Sequence, residues 1–395
     1  MNPYPEVILK PQRERPLLRG HPWVFSGAVR EIKGDAPPGA VARLCDAEGK
    51  ALALGFLNPA SDIVFRVLTR KTTDPIDDEF WRRRLAAAAG LRRRIVPPET
   101  TAFRLVNAEG DGLPGLVVDI YGDFAVVSLE TAGMEGQREG IIRALRVETA
   151  VRGIYERSEG HARRREGLKD RVGPLWGETP PENLEIKERG LRFLVSVVSG
   201  QKTGFFLDQR PNRRIVERLA AGGRVLNGFS YTGAFSVYAC RGGAARTVSV
   251  EASPAACETA LENLRLNGFD PSDHPVIRAD MFGFLRTVKE PFDLVILDPP
   301  AFAPSRGDLP RALRGYKEIN LQAFRILRKG GILATFSCSN AVGADIFERV
   351  VLQAASDARV RVSLLARLGP GADHPVNLAH PEGRYLKGLL LSVQG

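Results

Sequence analysis

RVLNGFSYTGAFSVYAC, residues 224–240, joins two structural rhythms in one short span. RVLNGF is a brief continuous apolar run, the mark of a strand buried on both faces, and Gly233–Cys240 then starts a helix. The pairing repeats downstream. TVSVEA (247–252) is a second strand, and Pro254 opens a helix at the favoured first position that ends near Asn267-Gly268. PVIRAD (275–280), FDLVILD (292–298) and GILATFS (331–337) are further strands with helical segments between them. Short apolar strands alternating with helices predict an α/β fold with a parallel, doubly wound sheet.

Upstream the rhythm differs. Residues 1–72 are rich in Gly and Pro and carry short apolar runs, WVFSGAV, GAVARLC, ALALGFL and DIVFRVL, which predict a small β-rich domain. DDEFWRRRLAAAAGLRRRI (77–95) is a helix, acidic at its start and basic at its end. Its arginine triplets, Arg82–Arg84 and Arg92–Arg94, read as a solvated face. Turn chemistry at Asp111-Gly112 and Tyr121-Gly122-Asp123 separates β-rich runs within 103–130. A helix near Gly136–Leu145, the strand VRGIYER and the strands around LEIKERGLRFLVSV complete a central α/β domain. The expected division is 1–72, 73–190 and 191–395.

Composition narrows the function classes. The chain has 395 residues, 44% of them hydrophobic, and a net charge of +10. That charge fits either an arginine-rich solvated surface or a polyanionic partner such as nucleic acid. Cys45, Cys240, Cys257 and Cys338 are scattered without a Cys-x-x-Cys pair, and the five histidines are dispersed, so neither a metal site nor a disulfide framework is expected. No apolar run reaches the roughly 18 residues of a membrane span, and MNPYPEVILKPQRERP is not a signal peptide. A soluble cytoplasmic protein with reduced thiols is the expectation.

In a doubly wound sheet, ligands bind beyond the carboxyl ends of the strands. Asn227, Glu251, Asp280, Asp298 and Cys338 fall at five successive strand ends. Glu251 is placed either to accept both ribose hydroxyls of a nucleotide-like cofactor or to cap the helix opened by Pro254. Gly228 and Gly233 let the first turn approach a ligand closely, but LNGFSYTGAF lacks the Gly-x-Gly-x-x-Gly spacing of nicotinamide enzymes. In LDPPAF, Pro299 and Pro300 stiffen the chain after Asp298 and are expected to hold the carboxylate and Phe302 outward. A flat base would stack on Phe302 and bond to Asp298.

FSCSN (336–340) then sets a cysteine between serines at the end of the fifth strand. The fourth and fifth strands are expected neighbours, so Cys338 and Asp298 face one another across the cleft. A reachable thiol there is a candidate nucleophile, and with no histidine nearby in sequence, any thiolate depends on positive potential in the site.

SGQKTGFFLDQRPNRR (199–214), LNGFSYTGAFSVYA, VILDPPAFA, RGYKEINLQAF and FSCSN together resemble the RlmI-type family of 23S ribosomal RNA methyltransferases, as do the opening RGHPWVF and the tail HPEGRYLKGLLLSV. The likeness runs over essentially the whole chain. It implies an N-terminal PUA-type RNA-binding domain, a central α/β domain and a Rossmann-like class I methyltransferase domain that transfers a methyl group from S-adenosylmethionine to carbon 5 of a cytidine. It also implies RNA as partner, 23S rRNA or the assembling large subunit, and a homodimer as one assembly.

The resemblance assigns roles. Cys338 is the nucleophile that adds to the base, and Asp298 binds the ring nitrogen and exocyclic amino group. Asn227, Phe229, Ser230 and Gly233 surround the methionine moiety, Glu251 takes the ribose and Asp280 lies near the adenine. Asp208 and Arg210 of FLDQR pair with the amino and carboxylate groups of the methionine. Pro299, Pro300 and Phe302 shape the base pocket. Arg163, Arg164, Arg165, Lys169 and Arg171, with Arg306, Arg311, Arg314 and Lys317, are candidate RNA contacts, each weighed against a solvated face. Two other readings stay open: a methyltransferase for another nucleoside such as guanine, with Cys338 idle, and a non-catalytic RNA-binding assembly factor.

Overall fold

The computed structural model describes residues 4–200, 203–303 and 306–394, and of Arg306 the backbone. The chain forms two compact units. Met1–Ile186, Ser196–Phe205 and Ala372–Gly383 make the first; Lys187–Val195, Phe206–Gly371 and Arg384–Gly395 make the second.

In the first unit, a six-stranded sheet takes in the strands between Glu6 and Thr69. Gly55 lies in Ala51–Leu57, where a Cβ would stand 2.1 Å from the Arg66 carbonyl oxygen, so the close pairing with Ile63–Thr69 admits no side chain there. A five-stranded sheet follows, from Ala102–Asn107 to Arg171–Gly177. Its one parallel pair, Phe124–Leu129 with Gly153–Ser158, is bridged by the helix Arg138–Glu148. Phe56 and Leu68 of the first sheet share one hydrophobic cluster with Trp81, Leu85, Leu116 and Ile154, so residues 1–72 and 73–186 are built around common apolar packing.

The helix Asp78–Ile95 starts where expected, with the Asp77 carboxylate accepting from Phe80 N at 2.9 Å. Its arginines differ from the expectation. Arg92 is buried, with both terminal nitrogens on Asp111 at 2.5 and 2.8 Å and Nε on the Arg104 carbonyl at 2.8 Å. The cause is helical phase. Trp81, Leu85 and Ala88 line the inner stripe, and Arg92 falls next on it, so the triplet cannot all face solvent. Arg92 also donates to the carbonyl of Asp373, in the late segment of the same unit.

The second unit carries the sheet that the opening stretch predicts. Its strands are β1 (Arg224–Gly228), β2 (Arg246–Glu251), β3 (Val276–Arg278), β4 (Phe292–Leu297), β5 (Leu327–Ser337), β6 (Arg361–Leu368) and β7 (Lys387–Gln394). The order is β3-β2-β1-β4-β5-β7-β6, parallel except for β7, which runs antiparallel to both neighbours. The helices are α1 (Arg210–Leu219), α2 (Ala234–Arg241), α3 (Pro254–Leu266), α4 (Met281–Thr287), α5 (Leu309–Ile326) and α6 (Ala344–Asp357). One core joins Leu226, Val250, Val295 and Leu333 of the strands to Tyr316, Phe324, Phe347 and Val351 of α5 and α6.

The strand Leu191–Val195, which starts at the expected boundary, belongs to this second unit together with residues 187–190 before it. Its Leu194 and Arg192 N–H groups donate to Asn263 and Asn267 of the α3 C-terminus, at 2.7 and 2.9 Å. Glu188 before it is fully buried and accepts two bonds from Arg213 of α1, both at 2.7 Å. Breaking such a buried pair from one side leaves an uncompensated charge, at about 3–5 kcal/mol.

Candidate active site

The order of strands reverses between β1 and β4, so a crevice opens at their carboxyl ends. Asn227 is the buried penultimate residue of β1. Its Nδ2 donates to Ser236 Oγ at 3.0 Å, and Ser236 Oγ lies 2.7 Å from Ser249 Oγ of β2. Among the described residues, the buried Oδ1 of Asn227, Oγ of Ser230 and Oγ1 of Thr232 have no hydrogen-bond partner. Buried polar atoms are ordinarily paired, so three together in one turn mark a place built for a polar ligand.

The backbone of that turn is strained as well. Phe229 and Tyr231 take φ of 57° and 47°, a left-handed conformation costly for residues with a Cβ. Ser230 N donates to the Val250 carbonyl at 3.0 Å and Tyr231 N to Glu251 Oε2 at 2.9 Å, which hold the strain in place. Gly233 has φ 78° with a virtual Cβ 3.0 Å from that of Ala260, so the residue type is forced twice over.

Glu251 is half-buried and accepts from three backbone N–H groups, those of Tyr231, Ala252 and Ser253, at 2.8–2.9 Å. The cap of α3 is Ser253, whose Oγ accepts from Ala256 N. Glu251 therefore braces the strained turn as well as standing at the β2 end. Asp280 is exposed and caps α4, with Oδ2 accepting from Gly283 N at 2.8 Å.

At the end of β4, Asp298 is half-buried, Pro299 buried and Pro300 exposed. Phe302 is not held outward. Its ring packs 4.8 Å from Tyr316, 5.9 Å from Phe282 and 6.3 Å from Phe229. Gly315 makes the space: a Cβ there would come within 3.2 Å of the Phe302 ring. Burial of the aromatic surface outweighs the stiffness of the two prolines.

The serine–cysteine–serine turn shows an alternation. Ser337 and Ser339 are fully buried on one side, both beside the Tyr316 hydroxyl, at 3.0 and 2.9 Å. Ser339 Oγ also accepts from Ala303 N at 3.2 Å. Cys338 between them faces the other way, as the two-residue period of an extended chain requires. It is half-buried, with Sγ 3.9 Å from the carbonyl oxygen of Pro299. The thiol and the end of β4 thus meet as the sheet order predicts. Burial pushes the Tyr316 phenol up, so it stays a neutral hydrogen-bonding hub.

Lys387 was missed on sequence. It opens β7, opposite Ser337 in the antiparallel register, and its Nζ donates to the carbonyls of Ser339 at 2.6 Å and Tyr385 at 2.9 Å. Burial pulls its pKa down to about 8, against the opposing influence of Cys338. The signal available was a lone lysine at the start of the otherwise apolar strand KGLLLSV.

Asp208 is buried and accepts from the Tyr385 hydroxyl at 2.5 Å. Arg210 is buried with Nε 3.3 Å from Glu188, the carboxylate that Arg213 also engages, so its charge is matched inside the protein. Among the candidate RNA contacts, Arg163 is corrected. It is 1% exposed, with Nε on the Lys169 carbonyl at 2.5 Å and Nη1 on the Leu129 carbonyl and Glu135, and so cannot reach a phosphate. Arg164 is exposed and paired with Asp170 at 2.7 Å, and Lys317 pairs with Asp357 at 2.7 Å. Arg311 and Arg314 are exposed on α5, and the Arg306 side chain lies outside the described residues.

Comparison with known proteins bears on this geometry. Residues 161–375 match the family model of S-adenosylmethionine-dependent methyltransferases, and residues 7–70 that of a PUA-like domain. The ribosomal RNA large subunit methyltransferase I of Aeromonas salmonicida is 43% identical over 98% of this chain and 99% of its own length. Its namesake from Salmonella arizonae is 43% identical over 99% and 98%. A solved methyltransferase from Streptococcus mutans, 25% identical, superposes with a TM-score of 0.84 over 98% of this chain and 100% of that chain. A second, solved in complex with SAH, gives 0.85 at 25% identity over the same shares. S-Adenosylmethionine is accordingly the cofactor, and the crevice that opens beyond β1 and β4 is where a fold of this kind receives it. The chain belongs to the ribosomal RNA large subunit methyltransferase I family of S-adenosylmethionine-dependent enzymes.

Proposed function

We propose that the protein methylates carbon 5 of a cytidine in large-subunit ribosomal RNA, with Cys338 as nucleophile. The observation that carries this reading is the alternation at 337–339: two serines tied inward on Tyr316 and a thiol turned toward the end of β4. A cysteine needed only as filler would share the buried face of its neighbours.

The residues present fit S-adenosylmethionine. The orphaned polar atoms of Asn227, Ser230 and Thr232 suit its methionine end, Glu251 its ribose and Asp280 its adenine, with Asp208 toward the amino group. When bound, the cofactor supplies an electrophilic methyl group. Carbon 5 of cytosine is a weak nucleophile. Addition of the Cys338 thiolate to carbon 6 gives an enamine whose carbon 5 can take the methyl group. Loss of the carbon 5 proton to water then reforms the double bond, breaks the carbon–sulfur bond and returns the thiolate. Asp298 holds the base by accepting from its amino group and, through a proton taken up when the base binds, by bonding to its ring nitrogen. Reaching the base requires it to be unstacked from the RNA. An rRNA substrate and reduced thiols are consistent with a cytoplasmic enzyme.

The test is to incubate the protein with unmodified 23S RNA and methyl-labelled S-adenosylmethionine, digest to nucleosides and identify the label. Labelled 5-methylcytidine, abolished by Cys338→Ala, is the expected result. Label in another nucleoside, undiminished by Cys338→Ala, overturns it.

A further inference from the structure

The thiol that adds to the base must be ionised, and the residues adjoining it in the chain are neutral. Three features around it bear on the missing charge. Lys387 Nζ donates to the carbonyl of Ser339, the residue directly after Cys338, at 2.6 Å. Its second bond, to the Tyr385 carbonyl at 2.9 Å, fixes the ammonium from the residues just before its own strand. The antiparallel register of β5 and β7 sets Lys387 opposite Ser337, the residue directly before Cys338. The ammonium is thus held across the strand from one neighbour of the cysteine and hydrogen-bonded to the other.

We propose that Lys387 is a positioning residue for the methyl transfer: it orients the Ser-Cys-Ser turn through the Ser339 carbonyl and supplies the positive charge that holds Cys338 as a thiolate. This rests on the reading of Cys338 as nucleophile. The Cys338 thiol gives up its proton to solvent, and the resulting thiolate is balanced by the protonated Nζ of Lys387. After the carbon–sulfur bond breaks, the thiolate returns to the same counterion. A lysine with its pKa pulled down to about 8 by burial titrates in the same range as an ordinary thiol. Cation and thiol then share one coupled titration, each favouring the charged form of the other.

Other ionisable groups face the pair. Asp298, beyond β4, is a carboxylate and disfavours the thiolate. Tyr316, on α5, stays neutral because burial pushes it up. Tyr385, before β7, turns its hydroxyl to Asp208. None of these three brings a positive charge.

The pH dependence of Cys338 alkylation tests this directly, with neither RNA nor cofactor present. The full-length protein is treated with iodoacetamide across about pH 6–10, and modification at each cysteine is read by peptide mass spectrometry. The buried Cys45, Cys240 and Cys257 serve as internal controls. In the wild type, the Cys338 midpoint is expected clearly below the ordinary thiol value of about 8.5. Lys387→Met is expected to raise it by about one pH unit, a roughly tenfold loss of thiolate near neutrality, and Lys387→Arg to keep it low. A wild-type midpoint at or above the ordinary value overturns the inference even if the variants do not fold. So does a Lys387→Met profile that coincides with the wild type. Failure of the underlying reading looks different: Cys338→Ala would still methylate while the alkylation shift persisted.

Discussion

The hydroxyl of Tyr316 lies 2.9 Å from Ser339 Oγ, so a helix residue fixes which way the turn after β5 faces. The same hydroxyl accepts from Ser337 Oγ at 3.0 Å. Tyr316→Phe removes both contacts while leaving the ring packed against Phe302 and Phe347. Two buried serine hydroxyls then lose a partner, a cost of about 1–3 kcal/mol. The expected outcome is a lower melting temperature together with reduced methyl transfer. Unchanged melting would mean that the serines satisfy themselves elsewhere.

Glu251 stands at the β2 end and braces the strained turn by accepting from Tyr231 N. Glu251→Gln keeps the shape but replaces charge-assisted bonds with weaker ones and removes the carboxylate proposed to hold the ribose. Calorimetric titration should show S-adenosylmethionine binding weakened roughly tenfold, about 1.4 kcal/mol. Full affinity in the variant would assign Glu251 to the turn alone.

Two neighbouring arginines should behave in opposite ways. Arg163→Ala leaves the Leu129 and Lys169 carbonyls without their buried donor, while Glu135 keeps Arg138 and Arg171, and should destabilise the fold by about 1–3 kcal/mol in urea unfolding. Arg164→Ala removes only an exposed pair with Asp170 and should leave the unfolding midpoint in place. If it weakens RNA binding in a filter assay, Arg164 is the phosphate contact of that cluster.

The depressed pKa of Lys387 carries a sign for stability. The unfolded chain holds its lysine proton up to about 10.5 and the folded chain only up to about 8. Between those values the unfolded state binds more protons, so this group's contribution to stability rises with pH and is least favourable below about 8. Urea midpoints compared across that window should climb more steeply for the wild type than for Lys387→Met. Parallel curves would show that the lysine titrates at its ordinary value.

What could be read from the sequence was what local pattern decides. The parallel sheet follows from apolar runs alternating with helices. Because parallel strands all end on one edge, the strand pattern alone gathers Asn227, Glu251, Asp280, Asp298 and Cys338. It does not gather Lys387, which meets Ser339 from 48 positions away through an antiparallel pairing that the strand pattern does not announce. Arg92 and Arg163 were misjudged because arginine runs look alike whether solvated or buried. The phase of the helix against Trp81 and Leu85 decides the first, and the half-buried carboxylate and the carbonyls it meets decide the second. Phe302 was expected to stand clear because stiff prolines precede it, and the space beside Gly315 is a tertiary fact.

The interleaving of the two units has a consequence for how the protein is made. Ala372–Gly383 belongs to the first unit yet follows Phe206–Gly371 of the second in the chain. The first unit takes from it the Asp373 carbonyl for Arg92, the Asp373 carboxylate for Arg104 N and the Pro375 carbonyl for Asn107. During synthesis the N-terminal half therefore waits, incompletely bonded, until the ribosome has passed most of the catalytic sheet. Fragments that stop short of residue 372 report on that unfinished assembly, so a truncation series will register folding failure well before it registers loss of chemistry.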